Sequence, residues 1–430
     1  MAAPHSGRPP AQTVTMPQLN SRRALWISIL AIALCARLGA GVWWQQRLGE
    51  QRFFFGDSDG YWELARTIAA GDPYEYRSPE LRVFRTPGYP MLLSSVFLIY
   101  GNQPPVLAAR VLGAILGTVA VGLAGWWATL LFDVRAGVIA GAITAFYPGA
   151  IALSIFVLSE APFVPLMLLH LTLWTAAWQA EPRNERLALA VLGGLVAAAA
   201  VLMRPSWLLF TPFAVGAGLL VACDRTRQLA IGGAMLAALA VGMIPWWYYT
   251  HQITGRFVPT TLQVGASLYD GLHEGATGES DMRFVPELTA RERAEGGPNS
   301  PDIFEVRVDR RMWDESIAWA KQHPAETLRL AGVKLLRMWN FWPNEPAFRG
   351  WGMRLVLLAT YLPLVVLGIV GAWRYTRRGQ PYALAWLPAV YLSLLHVVFV
   401  SSIRYRESAM IALTVLAAGL IANVKTRTQE

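Results

Sequence analysis

Two aspartates two positions apart, Asp57 and Asp59, open the most chemically loaded stretch of the chain, Phe55-Gly56-Asp57-Ser58-Asp59-Gly60-Tyr61-Trp62-Glu63. Tyr61, Leu64, Ala65 and Ile68 follow at the i, i+3, i+4, i+7 spacing of an amphipathic helix, with Gly71 and Pro73 as its stop signals. Asp59 then falls at the N-cap, where a carboxylate accepts from unpaired amides. Asp57 lies ahead of the cap, on the entering turn, with no structural duty there. A carboxylate so placed suits a general base or a positioning group. Asp59 suits the same role, and the sequence leaves that choice open. Further on, Arg85-Thr86-Pro87-Gly88-Tyr89-Pro90 is either a plain Pro-Gly turn or a turn that aims Arg85 at an anion.

Glu160, Arg204, Arg404 and Arg406 stand at the ends of long apolar runs, and Arg37 stands inside one. A charge beside hydrocarbon is costly and usually has a partner or a task. For arginine the task is paired hydrogen bonding to phosphate oxygens. The plain alternative is a guanidinium that snorkels to the interface, or, for Arg37, a structural pairing.

The elements that must position these groups are membrane helices. Of 430 residues, 54% are hydrophobic and 15% charged, and the mean hydropathy is +0.37. Soluble domains are usually about 45–50% apolar and about 25% charged. This excludes a disordered chain, a collagen-like fibre and an ordinary cytosolic enzyme. The expected fold class is an all-α polytopic membrane protein. Spans are expected near 24–44, 105–131, 136–154, 161–180, 187–203, 207–223, 228–249, 352–373, 382–401 and 408–424, ten in all. The apolar stretch 88–100 is too short to cross and reads as an interfacial helix.

The net charge of +9 reports topology rather than a nucleic-acid partner. With the N-terminus inside, Arg22, Arg23, Arg135, Arg183, Arg186, Arg225, Arg227, Arg374, Arg377, Arg378, Lys425 and Arg427 all face the cytoplasm. Polar tails 1–23 and 425–430 are then cytoplasmic, flanking a transmembrane domain at 24–424 with outer loops at 45–104 and 250–351. Cys35 and Cys223 read as small core residues. In the second outer loop, residues near 270–300 read as a mobile cover. Val308, Met312, Ile317 and Trp319 fall in one helix ended by Pro324. Leu328, Ala331, Leu335 and Trp339 line the next, ended by Pro343. Trp246, Trp247, Tyr249, Trp339, Phe341, Trp342 and Trp351 fit an interfacial aromatic belt.

In order along the chain, these motifs resemble the bacterial members of the protein O-mannosyltransferase group. These are GT-C membrane glycosyltransferases of family 39 and its relatives, which include the lipid A aminoarabinose transferases. The resemblance runs from the acidic first loop through Arg85-Thr86-Pro87-Gly88-Tyr89-Pro90, Leu158-Ser159-Glu160-Ala161-Pro162-Phe163 and Leu202-Met203-Arg204-Pro205. It continues through Ile244-Pro245-Trp246-Trp247, Gly255-Arg256-Phe257-Val258-Pro259, Gly265-Ala266-Ser267-Leu268-Tyr269-Asp270-Gly271, His323-Pro324, Trp339 and Arg404-Tyr405-Arg406, covering roughly 25–424. One departure is Trp247-Tyr248-Tyr249, where relatives often carry a basic residue and an Asn.

The resemblance implies a sugar donor on polyprenyl phosphate, a protein, lipid A or glycan acceptor, and a site on the periplasmic face of a bacterial inner membrane. It implies inverting displacement with Asp57 as base and Glu160 in the same pocket. Arg204, Arg404, Arg406 and Arg85 would meet the donor phosphate, with Asp59, Tyr61 and Arg37 as secondary candidates. Asp57-Ser58-Asp59 mimics a metal-binding DxD, but a donor with one phosphate lets arginines do that work, so a divalent cation is not favoured and no metal ligand is assigned. The rivals are a transporter or flippase of lipid-linked sugars, and an O-antigen ligase or polymerase using a diphosphate carrier. A flippase needs polar residues along a mid-membrane path. The spans hold few, notably Arg37, His170 and His396.

Overall fold

The structure, a computed structural model, describes residues 16–221, 224–295, 300–343 and 350–427. The expected tails therefore fall largely outside the described residues, as does Cys223. The α-helices in chain order are α1 (Met16–Leu48), α2 (Gly56–Ala70), α3 (Gly88–Tyr100), α4 (Val106–Leu131), α5 (Val134–Phe146), α6 (Pro148–Ile155), α7 (Glu160–Gln179), α8 (Arg183–Met203) and α9 (Phe210–Val221). They continue as α10 (Arg225–Thr254), α11 (Val264–Gly271), α12 (Val285–Glu295), α13 (Phe304–Gln322), α14 (Pro324–Met338), α15 (Trp351–Tyr375), α16 (Gln380–Ala383), α17 (Leu387–Val398) and α18 (Ile403–Arg427).

The protein is an all-helical, multi-pass membrane protein. Among the described residues, seven helices are long and apolar enough to cross a membrane, or eight if the bent pair α5–α6 counts as one span. The sequence reading has ten. The two that fall short among the described residues are 207–223 and 382–401, whose helices α9 and α17 each span 12 described residues. Prolines explain the shortening. Pro205 opens a single 3₁₀ turn ahead of α9, Pro381 lies in the four-residue α16, and Pro388 opens α17. The expected interfacial segment is α3, whose Leu98 and Ile99 are exposed while Tyr89, Leu93 and Phe97 are buried.

Helix α8 packs between α7 and α10, α4 packs against α1, α5 and α7, and α15 lies along α18. The core holds Trp127, Trp174 and Trp207, with Phe210 stacked on Trp207 at 3.8 Å between ring centres. Cys35 is exposed on α1 rather than packed in the core.

The break between α5 and α6, a 58° bend at Pro148, would leave backbone carbonyls unpaired inside the bundle. Arg37 meets them. Its guanidinium donates to Thr144 O (3.0 Å) and Ala145 O (3.1 Å), and to Ser154 Oγ (3.2 Å). A buried broken helix is tolerated only where such donors exist.

Helix α2 begins earlier than expected. Phe55 is its N-cap, Ser58 N–H reaches Phe55 O at 3.0 Å, and Gly71 closes it in the left-handed conformation (φ 75°). Asp59 is therefore not a cap but an exposed residue within the helix, and Asp57 lies inside the first turn rather than ahead of it. Packing decides this. Phe53 meets Trp62 and Phe55 meets Phe156, which pins the entering chain one turn upstream.

Within the stretch expected to be the second outer loop, residues 285–295 are helical rather than a mobile cover. They form α12, where buried Glu292 pairs with Arg307 (2.8 Å) and Arg311 (2.7 Å) of α13. On α14 the face turned to the protein is Leu330, Lys334 and Met338, whereas Leu328, Leu335 and Leu336 are exposed. Of the expected apolar stripe, Leu328 and Leu335 thus point outward, whereas Ala331 and Trp339 are half-buried and Trp339 packs against the core. Three belt tryptophans also hold backbone or side chains: Trp246 donates to Thr260 O (2.6 Å), Trp247 to Pro259 O (2.9 Å) and Trp339 to Ser393 Oγ (2.8 Å).

Candidate active site

Five charged side chains from five segments meet at one end of the bundle. Pro205 stops α8 and forces Arg204 into extended backbone (φ −144°, ψ 103°), so its side chain leaves the helix axis there. Glu160 and Asp57 lie in the first turns of α7 and α2, where a carboxylate is favoured by the helix dipole. Arg404 lies in the first turn of α18, where a cation opposes that dipole and needs anionic partners. Gly88 seats α3 on the last turn of α8, where a Cβ would lie 2.6 Å from Leu202 O. That contact brings the Arg85 motif beside Arg204.

The groups alternate in sign. Arg85 Nη2 lies 2.7 Å from Asp57 Oδ1, and Arg404 Nη2 lies 3.3 Å from Asp57 Oδ2. Arg404 Nε lies 3.0 Å from Glu160 Oε1, which Arg204 Nη1 approaches at 2.6 Å. Three guanidiniums against two carboxylates leave a formal excess of one positive charge. Arg404 is the shared member, touching both acids.

The two carboxylates differ in access. The Glu160 side chain is 2% exposed and the Asp57 side chain 36%. Burial raises the Asp57 carboxyl pKa, but the Arg85 and Arg404 charges and hydrogen bonds win and hold it well below the usual carboxylate range. Aromatic rings line the cations. Arg404 lies over Phe55 (5.2 Å) and Tyr405 (5.0 Å), Arg204 over Tyr405 (5.2 Å), and Arg85 over Tyr61 (5.0 Å). Arg85 also donates to Tyr61 Oη (3.2 Å), and Tyr74 Oη donates to Arg85 O (3.1 Å).

The expected residues Asp57, Glu160, Arg85, Arg204, Arg404 and Tyr61 therefore come together. Arg37 and Arg406 do not join them. Arg37 serves the α5–α6 break. Arg406 is buried under Tyr361 (3.7 Å to the ring centre), donates to the Met338 and Asn340 carbonyls and pairs with Glu407 (3.3 Å). It closes the end of α14. Asp59 is exposed on α2, two residues along from Asp57. Tyr405, which the sequence reading placed in the Arg404-Tyr405-Arg406 motif without a role, is a further member. Its only signal is its place between two arginines. Among the described residues, no three His, Cys, Asp or Glu side chains group as a metal site would require.

The fold has counterparts among solved oligosaccharyltransferases. This is a helical membrane protein with a GT-C-like fold. The chain overlays on archaeal oligosaccharyltransferase AglB from Archaeoglobus fulgidus, solved in complex with an inhibitory peptide and a dolichol-phosphate. The TM-score is 0.60 at 15% identity, covering 96% of this chain and 51% of that chain. The apo oligosaccharyltransferase from the same organism gives 0.59 at 16% identity, covering 93% of this chain and 51% of that one. ArnT from Cupriavidus metallidurans bound to undecaprenyl phosphate gives 0.46 at 17% identity, covering 94% and 79%. The chain thus spans about half the length of the oligosaccharyltransferase it matches. No curated protein matches in sequence.

At family level, residues 83–261 match the model of the dolichyl-phosphate-mannose-protein mannosyltransferases. That stretch holds Arg85, Glu160 and Arg204, and it bears out the resemblance read from the motifs.

Proposed function

We propose that the protein is a glycosyltransferase that moves a sugar from a polyprenyl-phosphate donor to an acceptor at the outer face of a bacterial cytoplasmic membrane. The observation that carries this reading is Arg404 bridging Asp57 and Glu160, with Arg85 and Arg204 on either side. The family match over 83–261 supports the donor class. Counting α9 and α17 as crossings gives ten, with both termini on one side, and the basic loops support the cytoplasm as that side. The cluster then lies opposite the basic loops around Arg135, Arg183 and Arg225.

Accessibility divides the roles. Glu160, sealed beneath Arg204 and Arg404, fixes the guanidiniums that receive the phosphate. Asp57, which solvent reaches, takes the proton of the acceptor hydroxyl. That oxygen bonds to the anomeric carbon while the bond from this carbon to the phosphate oxygen breaks, inverting the anomeric centre. The arginines stabilise the charge gathering on the departing polyprenyl phosphate. Tightly paired, Asp57 is a weak base. A donor phosphate that draws Arg404 away removes one of its two cations and raises its basicity, so donor binding readies the base.

Mass analysis of the lipid that copurifies with the protein tests this. A polyprenyl monophosphate or its sugar is expected. A diphosphate carrier would overturn the donor class in favour of a ligase or polymerase.

A further inference from the structure

Glu305 opens α13 in the second outer loop, and its carboxylate is buried against the first. Oε2 accepts the N–H groups of Arg82 (2.9 Å) and Val83 (3.0 Å), and Oε1 lies 3.1 Å from Val83 N. The carbonyls of the same two residues are also held. Leu262 N–H donates to Val83 O (3.0 Å) and Tyr249 Oη to Arg82 O (3.5 Å). The backbone at 82–83 is thus gripped on both edges by the second loop and the end of α10. Two residues on, Arg85 reaches Asp57.

Neighbouring carboxylates do other work. Asp309, one turn along α13, accepts from Gly265 N–H (2.6 Å) and anchors α11. Glu292 takes Arg307 and Arg311. Only Glu305 of these three bonds to the segment that carries Arg85. Burial pushes its carboxyl up to about 7 against the pull of the two amides, as expected of an acid kept in a dry place by its hydrogen bonds.

We infer that Glu305 is a positioning residue: by clamping the backbone of Arg82 and Val83 it sets where Arg85 meets Asp57, so that the second outer loop aligns a site built on the first. This rests on the proposed role of the Asp57 cluster. Displacing a group by about 1 Å can cost 10²-fold in rate, so the clamp matters without touching substrate.

The test is a double-mutant cycle on kcat/KM with a polyprenyl-phosphate sugar as donor. Glu305→Ala lowers it roughly 10–100-fold. If the clamp acts through Arg85, Arg85→Ala/Glu305→Ala is no worse than Arg85→Ala alone. Asp309→Asn is the control, and its loss multiplies with that of Arg85→Ala. Glu305→Gln keeps a carbonyl oxygen for both amides and restores most of the activity. Multiplicative losses for Glu305 and Arg85 would reduce Glu305 to a general structural role and overturn the inference.

Amide hydrogen exchange on the same variants reads the clamp without catalysis. Glu305→Ala speeds exchange at 81–86 and also at 56–60, whereas Asp309→Asn leaves 56–60 unchanged. Unaltered exchange at 56–60 in Glu305→Ala overturns the inference whatever the activity. Loosening of both segments in a protein whose wild type uses no polyprenyl-phosphate donor would sink the functional reading and leave the clamp standing. Where Glu305→Ala does not accumulate in membranes, Glu305→Asp, one methylene shorter, carries the same comparison.

Discussion

Asp57→Asn separates chemistry from stability at this site. The amide keeps the shape and removes both the charge and the basicity. The side chain is 36% exposed, so its pairs with Arg85 and Arg404 are partly screened. The expected stability cost is about 1 kcal/mol. Loss of a general base costs about 10²–10⁴ in rate, or about 3–5.5 kcal/mol of barrier. Glu160→Gln is the counterpart. Its side chain is 2% exposed, and its loss leaves Arg204 and Arg404 buried with too little negative charge. That costs about 3–5 kcal/mol of stability. The assay is sugar transfer in proteoliposomes beside thermal unfolding of the same preparations. Asp57→Asn turning over within about threefold of wild type, at equal fold stability, would refute the assignment of the base.

The pH dependence follows with its sign. A carboxylate whose folded pKa is depressed contributes stability above its unfolded pKa of about 3.9, lost only as pH falls through the folded value. Asp57 is such a group. Across about pH 5–8, kcat/KM for the free enzyme therefore shows no acid limb from Asp57. If donor phosphate takes Arg404 from it, kcat shows an acid limb at higher pH than kcat/KM does.

Further outcomes are expected. Arg404→Ala removes the cation shared by both carboxylates, so it lowers kcat about 10²–10³-fold and raises donor KM, as single-turnover kinetics will show. Arg37→Ala exposes the Thr144 and Ala145 carbonyls inside the bundle. It lowers thermal stability by about 1–3 kcal/mol per orphaned group while leaving the donor affinity of the folded fraction unchanged. Gly88→Ala drives a methyl toward Leu202 O and costs about 1–3 kcal/mol, with a drop in kcat as Arg85 and Arg204 move apart. Glu305 has a raised folded value, so the stability it lends the outer loops is complete below its unfolded pKa and lost as pH rises through about 7. Proteolysis of the outer loops is therefore slower at about pH 5.5 than at 8.5, and Glu305→Gln flattens the difference.

The order of motifs was legible because each is local. Pro205 after Arg204, Gly71 after the α2 pattern and the apolar runs act through neighbouring dihedrals and side-chain periodicity. The start of α2 was not, because Phe53 and Phe55 meet Trp62 and the distant Phe156. Nor was the outward turn of Leu328 and Leu335 on α14, since an apolar stripe reads the same whether protein or lipid covers it. In the same way, nothing in the types of Arg37, Arg404 and Arg406 tells a helix-end brace from a cluster cation.

The sequence by itself determined that this is a helical membrane protein, where its basic loops lie, and which few charged residues stand at helix ends. Hydrophobicity and proline act over a handful of neighbours, so one dimension suffices for that. Only the tertiary structure decided which of those charges meet. Asp57 and Arg404 lie 347 residues apart, and Glu305 lies 222 from Val83. Those pairings depend on how α2, α7, α8, α13 and α18 pack, which no local pattern encodes.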